Sequence, residues 1–320
     1  MIAFGPVPSR RLGHSLGVNN IPPKICSYAC VYCQLGRART MAVDRSSFYG
    51  TDALLHAVRE KAAGAAKAGD AIDYITFVPD GEPTLDRDLG QTILRLSTLG
   101  IPIAVITNAS LLWQPDVREA VSAAHWVSVK VDAVDEALWH RIDRPHKLLH
   151  LTRILDGILA FADAFDGTLV TETMLIRDTN DRPEHVRALA RFLDRLKPDI
   201  AYLSVPTRPP AEGWVKPADE DRLNCAYQIV RKHVTHVELL TGYEGNAFSF
   251  TGDVRDDLLS ITAVHPMRRD AVDDLLRRAG VSWSVVDELV AGDQLVVSTY
   301  EGHTYYSRRL PRVPNDNSAL

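Results

Sequence analysis

Three of the four cysteines in this 320-residue chain fall within eight residues. Cys26, Cys30 and Cys33 stand in Cys26-Ser27-Tyr28-Ala29-Cys30-Val31-Tyr32-Cys33, a C-x3-C-x2-C spacing. A secreted disulfide framework spreads an even set of cysteines along the chain, so three crowded thiols point to a metal site in a reducing compartment. Two kinds of site are open to them. A structural zinc ion takes four closed ligands, commonly as two separated pairs; the fourth would come from Cys225 or a histidine such as His14, and no second pair is present. A [4Fe–4S] cubane takes one ligand per iron. Three cysteines leave one iron open, and an open position marks a catalytic rather than a structural metal.

A second group lies about 50 residues further on. The apolar run Tyr74-Ile75-Thr76-Phe77-Val78 leads into Pro79-Asp80-Gly81-Glu82-Pro83-Thr84-Leu85. A glycine at a strand end lets backbone approach a ligand, and a carboxylate is the natural partner of an amine. The same residues also suit a plain β-turn. In Trp126-Val127-Ser128-Val129-Lys130-Val131-Asp132 the valines share one face and Ser128, Lys130 and Asp132 the other. Parallel strands buried on both faces read as continuous apolar runs. A polar face therefore points to a solvated or ligand-filled interior, or to a buried Lys130–Asp132 ion pair. Thr107-Asn108-Ala109-Ser110 ends the preceding strand as a turn or a cap. Arg141-Ile142-Asp143-Arg144-Pro145-His146 reads as an anion clamp or a solvated connection. Cys225, beside Leu223 and Tyr227, reads as a core residue of an amphipathic helix.

The elements that must hold these residues alternate. Strands are expected at 15–19, 73–78, 102–107, 126–132, 169–176 and 200–205. Helices are expected near 51–68, 88–99, 115–123, 149–163, 183–195 and 218–232. Thr51 is a candidate cap for the first helix, with Leu54, Leu55, Val58 and Ala62 on one face. Six βα units imply an α/β fold with a parallel sheet and covering helices. After Gly242-Tyr243-Glu244-Gly245 the pattern changes to helices at 267–279 and 282–291 and strands at 294–300 and 303–309. That is the outline of a winged helix, dividing the chain into residues 1–245 and 246–320. Residues 254–312 hold eight arginines and nine acids, so a nucleic-acid role for this part is disfavoured.

C-x3-C-x-aromatic-C, with Tyr32 as the aromatic, resembles the cluster loop of the radical S-adenosylmethionine (SAM) superfamily. Asp80-Gly81-Glu82 is similar to that family's Gly-Gly-Glu motif, and Thr107-Asn108-Ala109 to its Thr-Asn-Gly turn. The resemblance implies an incomplete (βα)6 TIM-like barrel with its site at the C-terminal strand ends. It implies a [4Fe–4S] cluster on Cys26, Cys30 and Cys33, and SAM chelated to the open iron. SAM contacts then fall to Tyr32, Asp80, Gly81, Glu82, Thr107, Asn108 and Ser128, with Lys130 and Asp132 as catalytic candidates and Thr207-Arg208-Pro209-Pro210 near adenine. The activity implied is reductive cleavage of SAM to a 5′-deoxyadenosyl radical that abstracts hydrogen, with a flavodoxin- or ferredoxin-type electron donor. Within the superfamily, Phe4-Gly5-Pro6-Val7-Pro8-Ser9-Arg10-Arg11-Leu12-Gly13, Cys30-Val31-Tyr32-Cys33-Gln34-Leu35-Gly36 and Val264-His265-Pro266-Met267-Arg268 resemble bacterial relatives of the tRNA wyosine-base synthases. Those synthases hold a second cluster on upstream cysteines, and none precedes Cys26. The radical-initiating half carries over, and the substrate, an RNA base or a small molecule, stays open.

Composition sets the outer limits. Hydrophobic residues make up 46% and charged residues 24%, ordinary globular values. No apolar run approaches the ~18 residues of a membrane span, so the expected location is cytoplasmic, with no membrane partner. Net charge is −5, yet residues 1–40 carry Arg10, Arg11, Lys24, Arg37 and Arg39 and no acid; this basic arm suggests an anion nearby. Two further readings stand beside the radical enzyme: an activase that places a radical on a partner protein, and a zinc-stabilised nucleic-acid-binding regulator.

Overall fold

The computed structural model describes residues 2–309, apart from 243, 244, 247 and 249. Tyr243 and Glu244, where the sequence pattern changes, and residues 310–320 lie outside the described residues.

Alternation of apolar strands and amphipathic helices builds one sheet of eight strands. In chain order the elements are β1 (Ala3–Ser9), β2 (Gly13–Val18), β3 (Ile25–Cys26), β4 (Thr40–Met41), α1 (Thr51–Ala68), β5 (Tyr74–Phe77), α2 (Leu89–Ser97), β6 (Ile103–Thr107), α3 (Pro115–Ser122), β7 (Trp126–Lys130), α4 (Glu136–Asp143), α5 (Leu151–Ala162), β8 (Thr168–Met174), α6 (Pro183–Leu196), β9 (Ile200–Ser204), α7 (Glu220–Val230) and β10 (Val237–Leu240). The sheet order is β1-β2-β5-β6-β7-β8-β9-β10. From β2 to β10 every pairing is parallel, so the helical crossovers cover one face. The six expected strands are all present. β10 extends them at one edge and β1, antiparallel to β2, at the other. β1 carries Pro6 and Pro8, which an edge strand tolerates because one side of its backbone needs no ladder donors.

Two faces of the sheet do different work. Outward residues such as Leu16, Ile75, Val105, Val127, Val129 and Leu203 join the helices in the main core. Inward residues Leu12, Ala104, Trp126, Val170, Tyr202 and Leu240 form a separate apolar plug. Above it, Ser128, Lys130 and Glu172 follow on the same inward-facing alternation, so the lumen turns polar toward the C-terminal strand ends.

Two local expectations change. Thr51 does not cap α1; Gly50 holds the cap position, and Thr51 is buried, its hydroxyl 3.1 Å from that of Thr92 in α2. Helix α4 was not expected. Asp135 starts it by accepting from the Leu138 amide at 2.9 Å, and Trp139 and Ile142 bury its inner face.

Six further elements follow: α8 (Val254–Thr262), β11 (Met267–Arg268), α9 (Arg269–Ala279), α10 (Ser284–Ala291) and the hairpin β12 (Leu295–Tyr300) with β13 (His303–Arg308). The small sheet runs β11-β13-β12, the element order of a winged helix. Its core, with Leu258, Ile261, Val272 and Leu275, also takes in Phe4 and Val7 of β1.

Helix α5 runs so close to the Leu112–Trp113 backbone that a Cβ at Gly157 would lie 2.5 Å from Trp113 Cα and 2.6 Å from the Leu112 carbonyl carbon. Backbone on both sides cannot give way, so Gly157→Ala is expected to lower stability by about 1–3 kcal/mol or more, read from the midpoint of chemical denaturation.

Candidate active site

The cysteine segment is shaped by backbone pairing with two neighbours. Cys26 ends the short strand β3, which pairs with β4. A turn returns the Cys33 amide to the Cys30 carbonyl at 3.1 Å. The amides flanking Cys30 are anchored to the end of α4: Ala29 N donates to Asp143 O at 3.0 Å and Val31 N to Ile142 O at 2.9 Å. Beneath them Trp139 Nε1 donates to the Tyr28 hydroxyl at 3.0 Å. The helix missing from the sequence reading thus backs the cysteine loop.

Burial favours the protonated form of all three thiols. Burial and the nearby Glu82 push Cys26 up to about 12. Burial, Asp143 and Cys26 push Cys30 well above the ordinary thiol value, and burial raises Cys33. Crowded thiols of this kind give up protons when a cationic metal centre compensates them. Among the described residues no three His, Cys, Asp or Glu side chains converge as ligands to a single metal ion. A cubane asks for something else, one sulfur per iron at separate corners. The donor set fits it: three thiols of the right softness on one half-buried loop.

The Asp80-Gly81-Glu82 turn meets this loop through backbone. Gly81 bridges to Ile25, and the Glu82 amide donates to Ile25 O at 3.2 Å. A Cβ on Gly81, at φ +155°, would overlap the Ile25 carbonyl and lie 2.7 Å from Ile21 Cδ1, so only glycine allows the approach. Glu82 is buried, which raises its pKa against the pull of its donors. Its Oε1 accepts from Thr84 N at 3.0 Å, Thr84 Oγ1 at 2.6 Å and Thr107 Oγ1 at 2.5 Å, while Oε2 accepts from Asn108 N at 2.8 Å. Asn108 Nδ2 reaches on to Ser27 Oγ at 2.9 Å and Cys26 Sγ at 3.6 Å. Thr107 and Asn108 therefore hold the carboxylate and the loop together. Asp80 pairs with buried Lys24 at 3.2 Å.

Within the lumen, Lys130 does not pair with Asp132. Its Nζ lies 3.3 Å from Glu172 Oε1, its register partner on β8, and 4.7 Å from the centroid of the Tyr32 ring. Burial pulls the ammonium down, but Glu172 and Asp132 more than offset that and raise its pKa. Burial pushes Glu172 up, yet Arg11 and Lys130 prevail and hold it at about 2. Asp132 accepts from the Tyr32 hydroxyl and from Met174 N, the latter at 2.6 Å. Burial and the neighbouring Asp132 raise the pKa of Asp143 well above the usual carboxylate range, and Cys30 Sγ lies 3.4 Å from its Oδ1. Ser128 Oγ is buried with no hydrogen-bond partner among the described residues.

The sequence reading missed Glu172, Arg11 as its partner, and Asp143. A charged residue in mid-strand, the signal that singled out Lys130, was present at Glu172; Asp143 gives none. The basic arm largely meets the chain's own acids: Arg11 pairs with Glu172, Lys24 with Asp80, and Arg37 with Glu212 at 2.8 Å. Arg141 is exposed and Arg144 sits against Glu212 at 2.6 Å. Cys225 is half-buried on α7.

Residues of the β12–β13 hairpin and of the segment after α8 brace the rim. Tyr300 and Tyr305 hydroxyls donate to the carbonyls of Pro206 at 3.2 Å and Thr207 at 2.9 Å. Arg208 Nη1 donates to Gln34 Oε1 at 2.8 Å, and Nη2 lies 2.9 Å from His265 Nε2. Gln34, directly after Cys33, also donates to Val264 O at 3.1 Å.

A parallel sheet with a three-thiol loop, a glycine–carboxylate turn and a charged lumen at the C-terminal strand ends defines a cluster-dependent enzyme of the SAM-cleaving class. The profile described as "Radical SAM superfamily" matches residues 20–193, and the chain belongs to that superfamily. Its cofactors are accordingly a [4Fe–4S] cluster and SAM. It is 42% identical over 311 residues to UPF0026 protein MJ1312 of Methanocaldococcus jannaschii, covering 97% of this chain and 96% of that one. Among solved structures it is similar in fold to a radical SAM methyltransferase from Sphaerobacter thermophilus (TM-score 0.53, 17% identity, 71% of this chain and 66% of that chain). It is also similar in fold to TYW1 with a lysine–pyruvate adduct bound (TM-score 0.52, 17% identity, 69% and 74%). Among the described residues no helix is long and apolar enough to cross a membrane.

Burial and Arg208 hold the His265 imidazole well below 6.5, so its Nε2 serves as a neutral acceptor. His265→Ala leaves Arg208 Nη2 without that acceptor and is expected to cost about 1–3 kcal/mol, with His265→Gln recovering much of the loss. The unfolded state takes up the proton below pH 6.5 while the folded state does not. The wild-type contribution is therefore full above about pH 6.5 and fades as pH falls, a trend His265→Gln should lack in denaturation across pH 5–8.

Proposed function

We propose that this chain abstracts a hydrogen atom from a small polar molecule or an RNA base held in the lumen, in the manner of a wyosine-base synthase. The cofactors supply one-electron cleavage of a sulfonium C–S bond, giving methionine and a 5′-deoxyadenosyl radical. The chain's own groups do the rest. Cys26, Cys30 and Cys33 would hold the cluster. Glu82 Oε2, with one protein donor, keeps a lone pair for the SAM ammonium. Gly81 lets the turn come close, and Asp80, neutralised by Lys24, stands beside it. Asn108 and Thr107 fix that carboxylate, and the unpartnered Ser128 hydroxyl and the Tyr32 ring complete the SAM side of the lumen. Lys130 and Asp132 orient the substrate. The Lys130–Glu172 pair keeps the ammonium protonated, so Lys130 acts as a donor and not as a nucleophile.

The observation carrying this reading is the inward stack of Ser128, Lys130 and Glu172 close to a three-thiol loop. A zinc-bound regulator has no use for such a charged lumen. Residues 1–245 serve as the barrel unit and 246–320 as a winged-helix-like unit that braces its rim. Three closely spaced thiols that must stay reduced support a cytoplasmic location.

Anaerobic reconstitution with iron and sulfide should give a brown protein that, with dithionite and SAM, releases 5′-deoxyadenosine. Cys30→Ala should release none under the same conditions. Stoichiometric zinc with no 5′-deoxyadenosine from the wild type would sink the reading.

A further inference from the structure

The segment that follows β9 runs to the cysteine loop and meets it at three residues. Arg208 Nη1 donates to Gln34 Oε1 at 2.8 Å. Glu212 N donates to Val31 O at 3.1 Å, and Glu212 Oε1 accepts from Arg37 Nε at 2.8 Å. Val31, Gln34 and Arg37 recur every third residue and bracket Cys33. Among the described residues no helix or strand spans 27–39, so this stretch takes much of its shape from neighbouring segments.

The end of α4 supports the same stretch. Ala29 N donates to the carbonyls of Asp143 and Arg144, at 3.0 and 3.2 Å, and Val31 N to Ile142 O at 2.9 Å. The two supports join at one atom: Arg144 Nη1 reaches Glu212 Oε1 at 2.6 Å, the oxygen that also accepts from Arg37. A surface ion pair contributes little when two long side chains must be frozen to make it. Here the carboxylate is nearly covered, 12% exposed against 69% for Arg37. It stands three residues before Val215, which is buried in the main core, and the Val215 amide donates back to Glu212 O at 3.0 Å. The backbone thus fixes the carboxylate where both arginines converge.

We propose that Glu212 is a positioning residue for the cluster: its amide and carboxylate clamp the Cys30–Cys33 stretch against the end of α4 and so hold the spacing of the thiols. This rests on the function proposed above. Glu212 acts through the loop backbone and not on the reacting atoms. Arg208 adds a second fastening at Gln34. The carbonyls just before it, of Pro206 and Thr207, are held by the Tyr300 and Tyr305 hydroxyls. The clamp is therefore also the route by which the C-terminal elements support the metal loop.

The test compares the full-length wild type with Glu212→Ala, Glu212→Gln and Arg37→Gln. In the metal-free chain, hydrogen exchange read by mass spectrometry should speed up in Glu212→Ala for peptides covering residues 27–38 and stay unchanged in the eight-stranded sheet. After anaerobic loading with iron and sulfide, Glu212→Ala should lose iron to excess bathophenanthroline about tenfold faster than the wild type. It should also need more SAM to produce the SAM-induced change in the electron paramagnetic resonance spectrum of the dithionite-reduced cluster. Glu212→Gln, which keeps an oxygen for both arginines, should recover most of both properties. Arg37→Gln should show the smaller loss of one contact. Glu301→Gln, in an exposed pair with Lys216 on the same segment, should match the wild type. Equal iron loss from wild type and Glu212→Ala overturns the proposal. So does faster exchange throughout the chain, which makes Glu212 a support of the fold at large. Should Glu212→Ala fail to fold, Arg37→Gln, altered at an exposed side chain, decides the matter, and iron loss at the wild-type rate overturns the clamp. A wild type that assembles no cluster overturns the function beneath it, while exchange in the metal-free chain still decides for or against the clamp.

Discussion

The contact between Gly81 and the Ile25 carbonyl is the constraint on which the site depends. A loop carrying three thiols and a turn carrying a carboxylate come from opposite ends of a long crossover, and only a residue without a side chain lets their backbones touch. Once they meet, the Glu82 amide closes onto Ile25 O. The carboxylate then faces Cys26 across Asn108, whose amide groups serve Glu82, Ser27 and Cys26 together. Any side chain at position 81 would separate a negatively charged anchor from the metal loop, and each would lose its purpose.

A second constraint is electrostatic. Burying Lys130, Glu172, Asp132 and Arg11 in one lumen is costly unless each charge has a partner. Here Glu172 takes two cations and Asp132 takes a phenol and a backbone amide. The result is a rigid polar chamber above an apolar plug, set by alternation along β7 and β8. Polar groups fixed in advance by their partners pay little reorganisation when chemistry begins.

Much of this was legible in the sequence because it rests on local patterns. The C-x3-C-x2-C spacing, the turn after β5 and the valine alternation of β7 each lie within ten residues, and periodicity located the six core strands. What stayed hidden depends on contacts between distant segments. The pairing of Lys130 with Asp132, two residues away, is an alternative that local spacing offers; the partner is Glu172, forty-two residues on, because strand register decides it. Asp143 looks like any acid near a helix end until α4 docks on the cysteine loop. Thr51 has the type of a cap, yet packing against α2 claims its hydroxyl. β1, with its two prolines, contradicts strand propensity and is permitted only at an edge.

Phe4 and Val7 share a core with residues from Val254 to Tyr306. During synthesis on the ribosome, the apolar side of β1 must therefore wait until residues 254–306 have emerged. Until then that strand is an uncovered sheet margin. The order of manufacture, and not the order of function, thus leaves β1 to be completed by α8, α9 and the β12–β13 hairpin.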